Sequence, residues 1–222
     1  MINFSNHAFK ELDNDFASAH EMVQQMAALI ADQLTMLEVA LAQNLEDNSK
    51  AKLLDKKVNA LEIDIEKQVA SIFSKYTLVG DELRFTMTLL KLSSTLERMG
   101  DMAKNCVKRV VKLSKPVQPE FIKEATESKK LIEQMLLTSI ELVKHYDEQK
   151  AKTLLAQEDE VGGLYKKIQL LLKQDMADNE RVLESAHMLF IMKNLERMAD
   201  YALDIVKLCY YIHHGEKFEK PE

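Results

Sequence analysis

The sequence predicts an all-α protein in which six long helices form two repeated antiparallel three-helix bundles, residues 1–115 and 116–222. Three observations carry that prediction. Five Gly and three Pro in 222 residues compare with about 27 expected from average usage, too few for the hairpins of a sandwich or barrel or for Gly-rich nucleotide-binding loops. Apolar residues recur at intervals of three and four, the period of amphipathic helices. The third observation is a polar segment that returns in the second half of the chain at a shift of 99 positions.

The elements follow in order. The first helix reads Leu12, Phe16, Ala19, Val23, Met26, Ile30, Leu34, Leu37 and Leu41 along one face, and at 1.5 Å per residue it is roughly 50 Å long. The polar stretch Asn44 to Lys50 ends it. A second helix, about Ser49 to Ser74, buries Val58, Leu61, Ile65, Val69 and Ile72. Gly80 separates it from a third, about Asp81 to Leu113, whose Leu89, Leu92, Leu96, Met99, Ala103, Cys106, Val110 and Leu113 keep a seven-residue repeat. Such a repeat implies left-handed bundle packing. Pro116 and Pro119 mark the middle. Helix four is expected over Glu120 to Thr153, helix five over Glu158 to Met176 with the Gly162–Gly163 pair as punctuation, and helix six over Asn179 to His213. Helix six buries Met188, Ile191, Leu195, Met198, Ala202, Ile205, Cys209 and Ile212.

Composition narrows the function classes. Thirty Lys and Arg against 36 Asp and Glu leave a net charge of −6, which argues against a nucleic-acid binder. Hydrophobic residues at 46% supply a sizeable core. Two cysteines, Cys106 and Cys209, cannot make a secreted disulfide framework and point to a reduced, cytoplasmic setting. The chain opens without an apolar signal region. Its longest apolar stretch, Met22 to Ala31, is too short to span a bilayer, so no direct membrane insertion is expected.

The repeated segment carries the candidate site. Leu96-Glu97-Arg98-Met99-Gly100-Asp101-Met102-Ala103 aligns with Leu195-Glu196-Arg197-Met198-Ala199-Asp200-Tyr201-Ala202, and Val107-Lys108 with Val206-Lys207. Glu97, Asp101 and Asn105 fall at i, i+4 and i+8, as do Glu196, Asp200 and Asp204, so each trio forms a stripe, placed away from the apolar seam. Like charges at i, i+4 repel by ~0.2–0.5 kcal/mol on an exposed helix. Three readings of the stripes stay open: a solvated face, an i, i+3 pair of Arg98 with Asp101 and of Arg197 with Asp200, or a bound cation. Hard carboxylate oxygens suit Mg, Ca, Mn or iron. Helix two offers Asp55, Asn59, Glu62 and Glu66 at one-turn spacing. Helix five offers Glu158, Gly162, Tyr165 and Gln169, a poorer set.

Other constellations carry little. A ferritin-like di-iron site needs two Glu-x-x-His motifs, and the single Glu184-x-x-His187 reads as a surface-and-flank pair. Zinc, phosphate-loop and nucleophile-elbow motifs are absent from the sequence. His213-His214 reads as a solvated helix terminus, and the twelve Met as gap-filling core residues. No catalytic residues are expected.

With these residues in view, the chain resembles the PhoU family of phosphate-uptake regulators. The resemblance is most specific at Leu96-Glu97-Arg98-Met99-Gly100-Asp101-x-Ala103-x-Asn105, similar to that family's L-E-R-I-G-D-x-A-x-N signature. The second copy keeps Glu196 and Asp200 but has Ala199 for Gly and Asp204 for Asn. Asp81-Glu82-Leu83-Arg84 resembles a D-x-R segment opening the third helix. Leu189-Phe190-Ile191-Met192-Lys193 resembles an L-F-I-A-R run, and Ile212-His213-His214-Gly215-Glu216 the closing helix. The resemblance implies two three-helix bundles and E/D-x-x-x-D motifs able to hold metal. It also implies a homodimer whose partners are the phosphate ABC transporter and a phosphate-sensing histidine kinase. The family's second-helix D-x-x-I-D motif reads Asp55-x-x-Val58-Asn59 in the first half and Glu158-x-x-Val161-Gly162 in the second, so one carboxylate is missing from each. No cofactor is required. The candidate ligand is a divalent metal or iron, with Glu97, Asp101, Asp55 and Glu62 in the first half and Glu196, Asp200, Asp204 and Glu158 in the second. Binding is expected to be weak or limited to a single ion centred on Glu97, Asp101 and Asp55.

The leading functional expectation is a non-enzymatic cytoplasmic regulator that damps phosphate uptake and phosphate-regulon signalling through protein contacts. Two alternatives are a companion of a sodium–phosphate cotransporter and, from another class, a carboxylate-metal storage protein or enzyme.

Overall fold

The computed structural model describes residues 10–43, 47–115, 117–175 and 181–218. Pro116, Met176 and Asn179, on which parts of the sequence reading rest, lie outside them. Six helices follow one another: α1 (Lys10–Gln43), α2 (Ser49–Lys75), α3 (Gly80–Val110), α4 (Pro119–Lys144), α5 (Glu148–Asp175) and α6 (Val182–His214). No strand occurs among the described residues. Within each half every helix touches the other two; α3 packs along α6 and α1 along α4. The four helices α1, α3, α6 and α4 thus form the middle of the molecule, with α2 and α5 outside them on opposite halves.

The hydrophobic spacing maps directly onto burial. Each residue assigned above to the inner face of helix one is buried, as is each one assigned to helix six. On α2 and beyond α3 the reading overshoots slightly: Leu61 and Leu113 are only partly buried and pack against the edge of the core. The two triplets share a single core cluster running from Leu12 to Ile212. Phe16 of α1 meets Phe85 of α3 edge-on at 5.1 Å between ring centroids.

The boundary between helices four and five differs from the sequence expectation. α4 stops at Lys144 and α5 starts at Glu148, well before the expected Thr153 and Glu158. His145 is extended, with φ −143° and ψ 106°. Asp147 Oδ1 then accepts hydrogen bonds from the Gln149 and Lys150 amides at 2.8 and 3.1 Å, the action of an N-cap on orphan donors. Gly162 and Gly163 are not punctuation. They lie inside α5, and a Cβ added at either would meet nothing within 4 Å.

By length and composition α1 alone among the described helices would be able to cross a membrane, more apolar than the reading of Met22–Ala31 allowed. Its inner face is seated against α2, α3 and α4, as befits a core helix.

Polar contacts fasten the halves together. Lys129 of α4 is almost fully buried and reaches Glu38 of α1 at 3.1 Å and Glu133 of its own helix at 2.7 Å. Glu184, read as a surface residue, is buried and accepts a 2.6 Å hydrogen bond from the Ser114 hydroxyl. His187 lies 3.4 Å from a guanidinium nitrogen of Arg109. The thiols of Cys106 and Cys209 are wholly buried and point at the carbonyls of Ile191 and Ser139. Burial pushes the Cys106 thiol up to about 12 and that of Cys209 higher still, so neither supplies a thiolate nucleophile.

Candidate functional site

The α2–α3 groove gathers most of the first-half residues singled out in the sequence. Three turns of α3 present Glu97, Asp101 and Asn105, all half-buried, against the face of α2 that carries Asp55, Asn59 and Glu62. The helices approach closely because Gly100 has no side chain. A Cβ there would lie 3.3 Å from Val58 Cγ1 and 3.4 Å from Gln33 Oε1. Asp55 is buried.

Lys104 closes this cluster. Its Nζ donates to Asp101 Oδ1 at 2.6 Å and to Asp55 Oδ2 at 2.9 Å, joining the two helices. The i, i+3 partner of Asp101 is therefore the lysine that follows it. Burial works against the Lys104 ammonium, but the hydrogen bonds and charges of Asp101 and Asp55 outweigh it and hold its pKa above the usual lysine value. Glu97 is held toward its neutral form. Burial, then the charges of Asp101, Glu62 and Asp55, raise its pKa, with Lys104 opposing. Glu62 is also raised, by burial and then Glu66, against the pull of Arg98.

These shifts give a pH prediction. The folded chain holds the Glu97 proton more tightly than the unfolded chain does. Ionising Glu97 therefore lowers stability above its folded-state pKa, and that loss disappears as pH falls through this value toward the ordinary glutamate range. Glu97→Gln is expected to raise Tm at about pH 7 and to leave it unchanged near pH 4. Calorimetry at the two pH values checks this, and a lower Tm at neutral pH would contradict it.

The second half is built differently. Lys193, three residues before Glu196, bonds that carboxylate and lies 5.1 Å from the centroid of the Tyr165 ring. Lys207 takes Asp204 at 2.8 Å. The Asp200 pKa is raised by burial and then Glu196, while Lys193 and Arg197 oppose. Arg197 stands over Tyr201 rather than closing on Asp200, with 5.9 Å from its guanidinium carbon to the ring centroid. Glu158 is half-buried on α5 one turn before Gly162. Tyr165 stands where the first half has Glu62, so an aromatic face replaces a carboxylate.

The acceptor set of the first half consists of hard oxygens, and Asp55 Oδ1 and Asn59 Oδ1 are buried without a hydrogen-bond partner. Lys104 Nζ nevertheless sits between the two aspartates, and among the described residues no three Asp, Glu, His or Cys side chains converge as a metal-binding group. As they stand, the residues suit an ammonium rather than a divalent ion.

Two further motifs meet at the far end of the molecule. Arg84 of α3 donates from Nε to the Ile212 carbonyl of α6 at 3.3 Å and pairs with Asp81 through its guanidinium. Gly215 caps α6 in the left-handed region, with φ 77°. Its missing Cβ would lie 3.3 Å from an Arg84 nitrogen, so the guanidinium lies flat against the cap. Of the two histidines beside it, His214 is exposed, as a solvated terminus would be, whereas His213 is half-buried. His213 Nε2 lies 3.1 Å from the Val143 carbonyl, and His214 stacks on Tyr210 at 4.2 Å.

Comparison with known proteins places this architecture. The PhoU domain model matches residues 23–110 and again 126–209. The phosphate-specific transport system accessory protein PhoU homolog of Zymomonas mobilis is 31% identical over 213 residues, covering 95% of this chain and 90% of its own. The Escherichia coli phosphate-specific transport system accessory protein PhoU is 26% identical over 222 residues, covering 98% and 91%. Two crystal structures share the fold at a TM-score of 0.82. They are PhoU from Pseudomonas aeruginosa, 20% identical over 92% of this chain and 99% of that one, and the phosphate transport system regulatory protein PhoU from Streptococcus pneumoniae, 23% identical over 94% and 100%. The two-fold domain match and the full-length relatives establish that the chain belongs to the PhoU family.

Proposed function

We propose that this chain is a non-enzymatic, cytoplasmic regulator of phosphate homeostasis that lowers phosphate uptake and phosphate-regulon signalling by docking on membrane partners. The observation that carries this reading is the family match in both halves, together with near full-length relatives named as accessory proteins of the phosphate-specific transport system. In this reading the two halves, residues 1–115 and 116–222, act as repeated docking units, the working form is a homodimer, and the partners are a phosphate ABC transporter and a phosphate-sensing histidine kinase. Packing supports the mode of action. Long helices fixed to one another by a shared core offer rigid lateral faces, and pre-organised surfaces limit the entropy lost on association.

Uptake tests the proposal. A strain lacking this gene, grown in abundant phosphate, is expected to take up labelled phosphate faster than its parent, and the intact gene is expected to restore the slower rate. Uptake that is unchanged in the deletion strain would overturn the proposal.

A further inference from the structure

The family resemblance brings metal with it, whereas the α2–α3 groove holds a cation of the chain's own. Lys104 Nζ lies 2.9 Å from Asp55 Oδ2 and 2.6 Å from Asp101 Oδ1. Divalent ions sit 2.0–2.6 Å from carboxylate oxygens, so an ion bound to both aspartates would occupy the space of the ammonium and repel it. The carboxylates are held in place around that charge. The Asp55 side chain is only 11% exposed, and its Oδ1 and the amide oxygen of Asn59 stay buried without a partner.

The second half reaches the same balance by another route. At the shift of 99 that aligns the signatures, Lys104 corresponds to Leu203 and Lys193 to Ser94. The ammonium over each stripe therefore comes from a non-equivalent position. Lys193 bonds Glu196 and rests on the Tyr165 ring, where a carboxylate would stand in the first half.

We propose that each carboxylate stripe is closed by an ammonium of the chain's own, the part-buried Lys104 in the first half and the more exposed Lys193 in the second, which takes the place of a metal ion. The fold then stands without metal. Removing the Lys104 ammonium leaves Asp55, Glu97 and Asp101 uncompensated and turns the first half into a divalent-cation site of hard oxygens.

Mn²⁺ is the probe. Binding is read by electron paramagnetic resonance of free Mn²⁺, and Tm is measured with Mn²⁺ and with EDTA. Wild-type protein is expected to take up no Mn²⁺ at micromolar concentration and to show the same Tm in both conditions. Lys104→Met is expected to melt lower in EDTA, to regain stability on adding Mn²⁺, and to bind it at least roughly tenfold more tightly than wild type. Lys104→Arg keeps the charge and is expected to fold and to take up none, which preserves the test should the Met variant not fold. One Mn²⁺ bound per wild-type chain and lost in Asp55→Asn would overturn the proposal. So would a folded Lys104→Met protein that gains no affinity for Mn²⁺, or a Lys104→Arg protein that binds it.

Discussion

Truncating Phe85 to alanine is expected to destabilise the protein by about 3–5 kcal/mol. The ring is completely buried where α1 crosses α3, and it meets Phe16 edge-on at 5.1 Å. The truncation removes the transfer free energy of the ring and leaves a cavity between two long helices, each fixed by its other neighbours and so unable to collapse inward. For a chain of this size Tm falls by roughly 2–4 °C per kcal/mol, so a drop of about 6–20 °C is predicted. Phe16→Ala is expected to have a similar effect. The double variant is expected to lose less than the sum of the two, by about 0.5–1.5 kcal/mol, the worth of an aromatic pair beyond its area. Urea titration of the four proteins measures this coupling. Strict additivity would show that the rings act only as separate hydrophobic bodies.

A larger residue at Gly100 is expected to open the α2–α3 groove. The added Cβ alone would press on Val58 Cγ1 at 3.3 Å and on Gln33 Oε1 at 3.4 Å, both on fully buried residues with room for only a small shift. Alanine gains about 0.8–1 kcal/mol of helix propensity over glycine, which offsets a contact that Val58 can relieve by a few tenths of an ångström. Leucine adds three more carbons to the same space. Gly100→Leu is therefore expected to destabilise by about 1–3 kcal/mol, whereas Gly100→Ala stays near neutral. Because α2 must move outward, the Leu variant is also expected to break the Asp55–Lys104 bond. Thermal melts of both variants, with and without Lys104→Met, check this. Gly100→Leu and Lys104→Met acting on one contact will be less than additive.

The two copies differ at this position. Ala199 occupies the equivalent place on α6 and is 1% exposed, so the second half already holds a methyl group where the first would have to shift Val58 to admit one. The sequence made the repeat visible but not this difference, since it depends on how near α2 comes to α3.

The same limit decides what else was legible. The spacing of apolar residues along α1, α3 and α6 identified the buried faces residue by residue, because a long helix repeats its signal over eight or nine turns. The α4–α5 corner does not show in the spacing because residues 145–158 stay amphipathic across the break, where His145 turns extended after α4 and Asp147 caps the start of α5. Glu97, Asp101, Asp55 and Glu62 were found by their one-turn spacing and do share a groove. Lys104 escaped notice because Arg98 and Lys104 both stand three residues from Asp101. Only the nearness of Asp55 on another helix selects the lysine. The Arg84–Gly215 contact joins two motifs 131 positions apart, a pairing that periodicity within a helix cannot report.

Negative regulation of the phosphate response is tested most directly by an alkaline phosphatase reporter in abundant phosphate. Deletion of this gene is predicted to raise reporter activity, and the intact gene to return it to the parental level. A reporter that stays low in the deletion strain would contradict the account and favour a companion of a sodium–phosphate cotransporter.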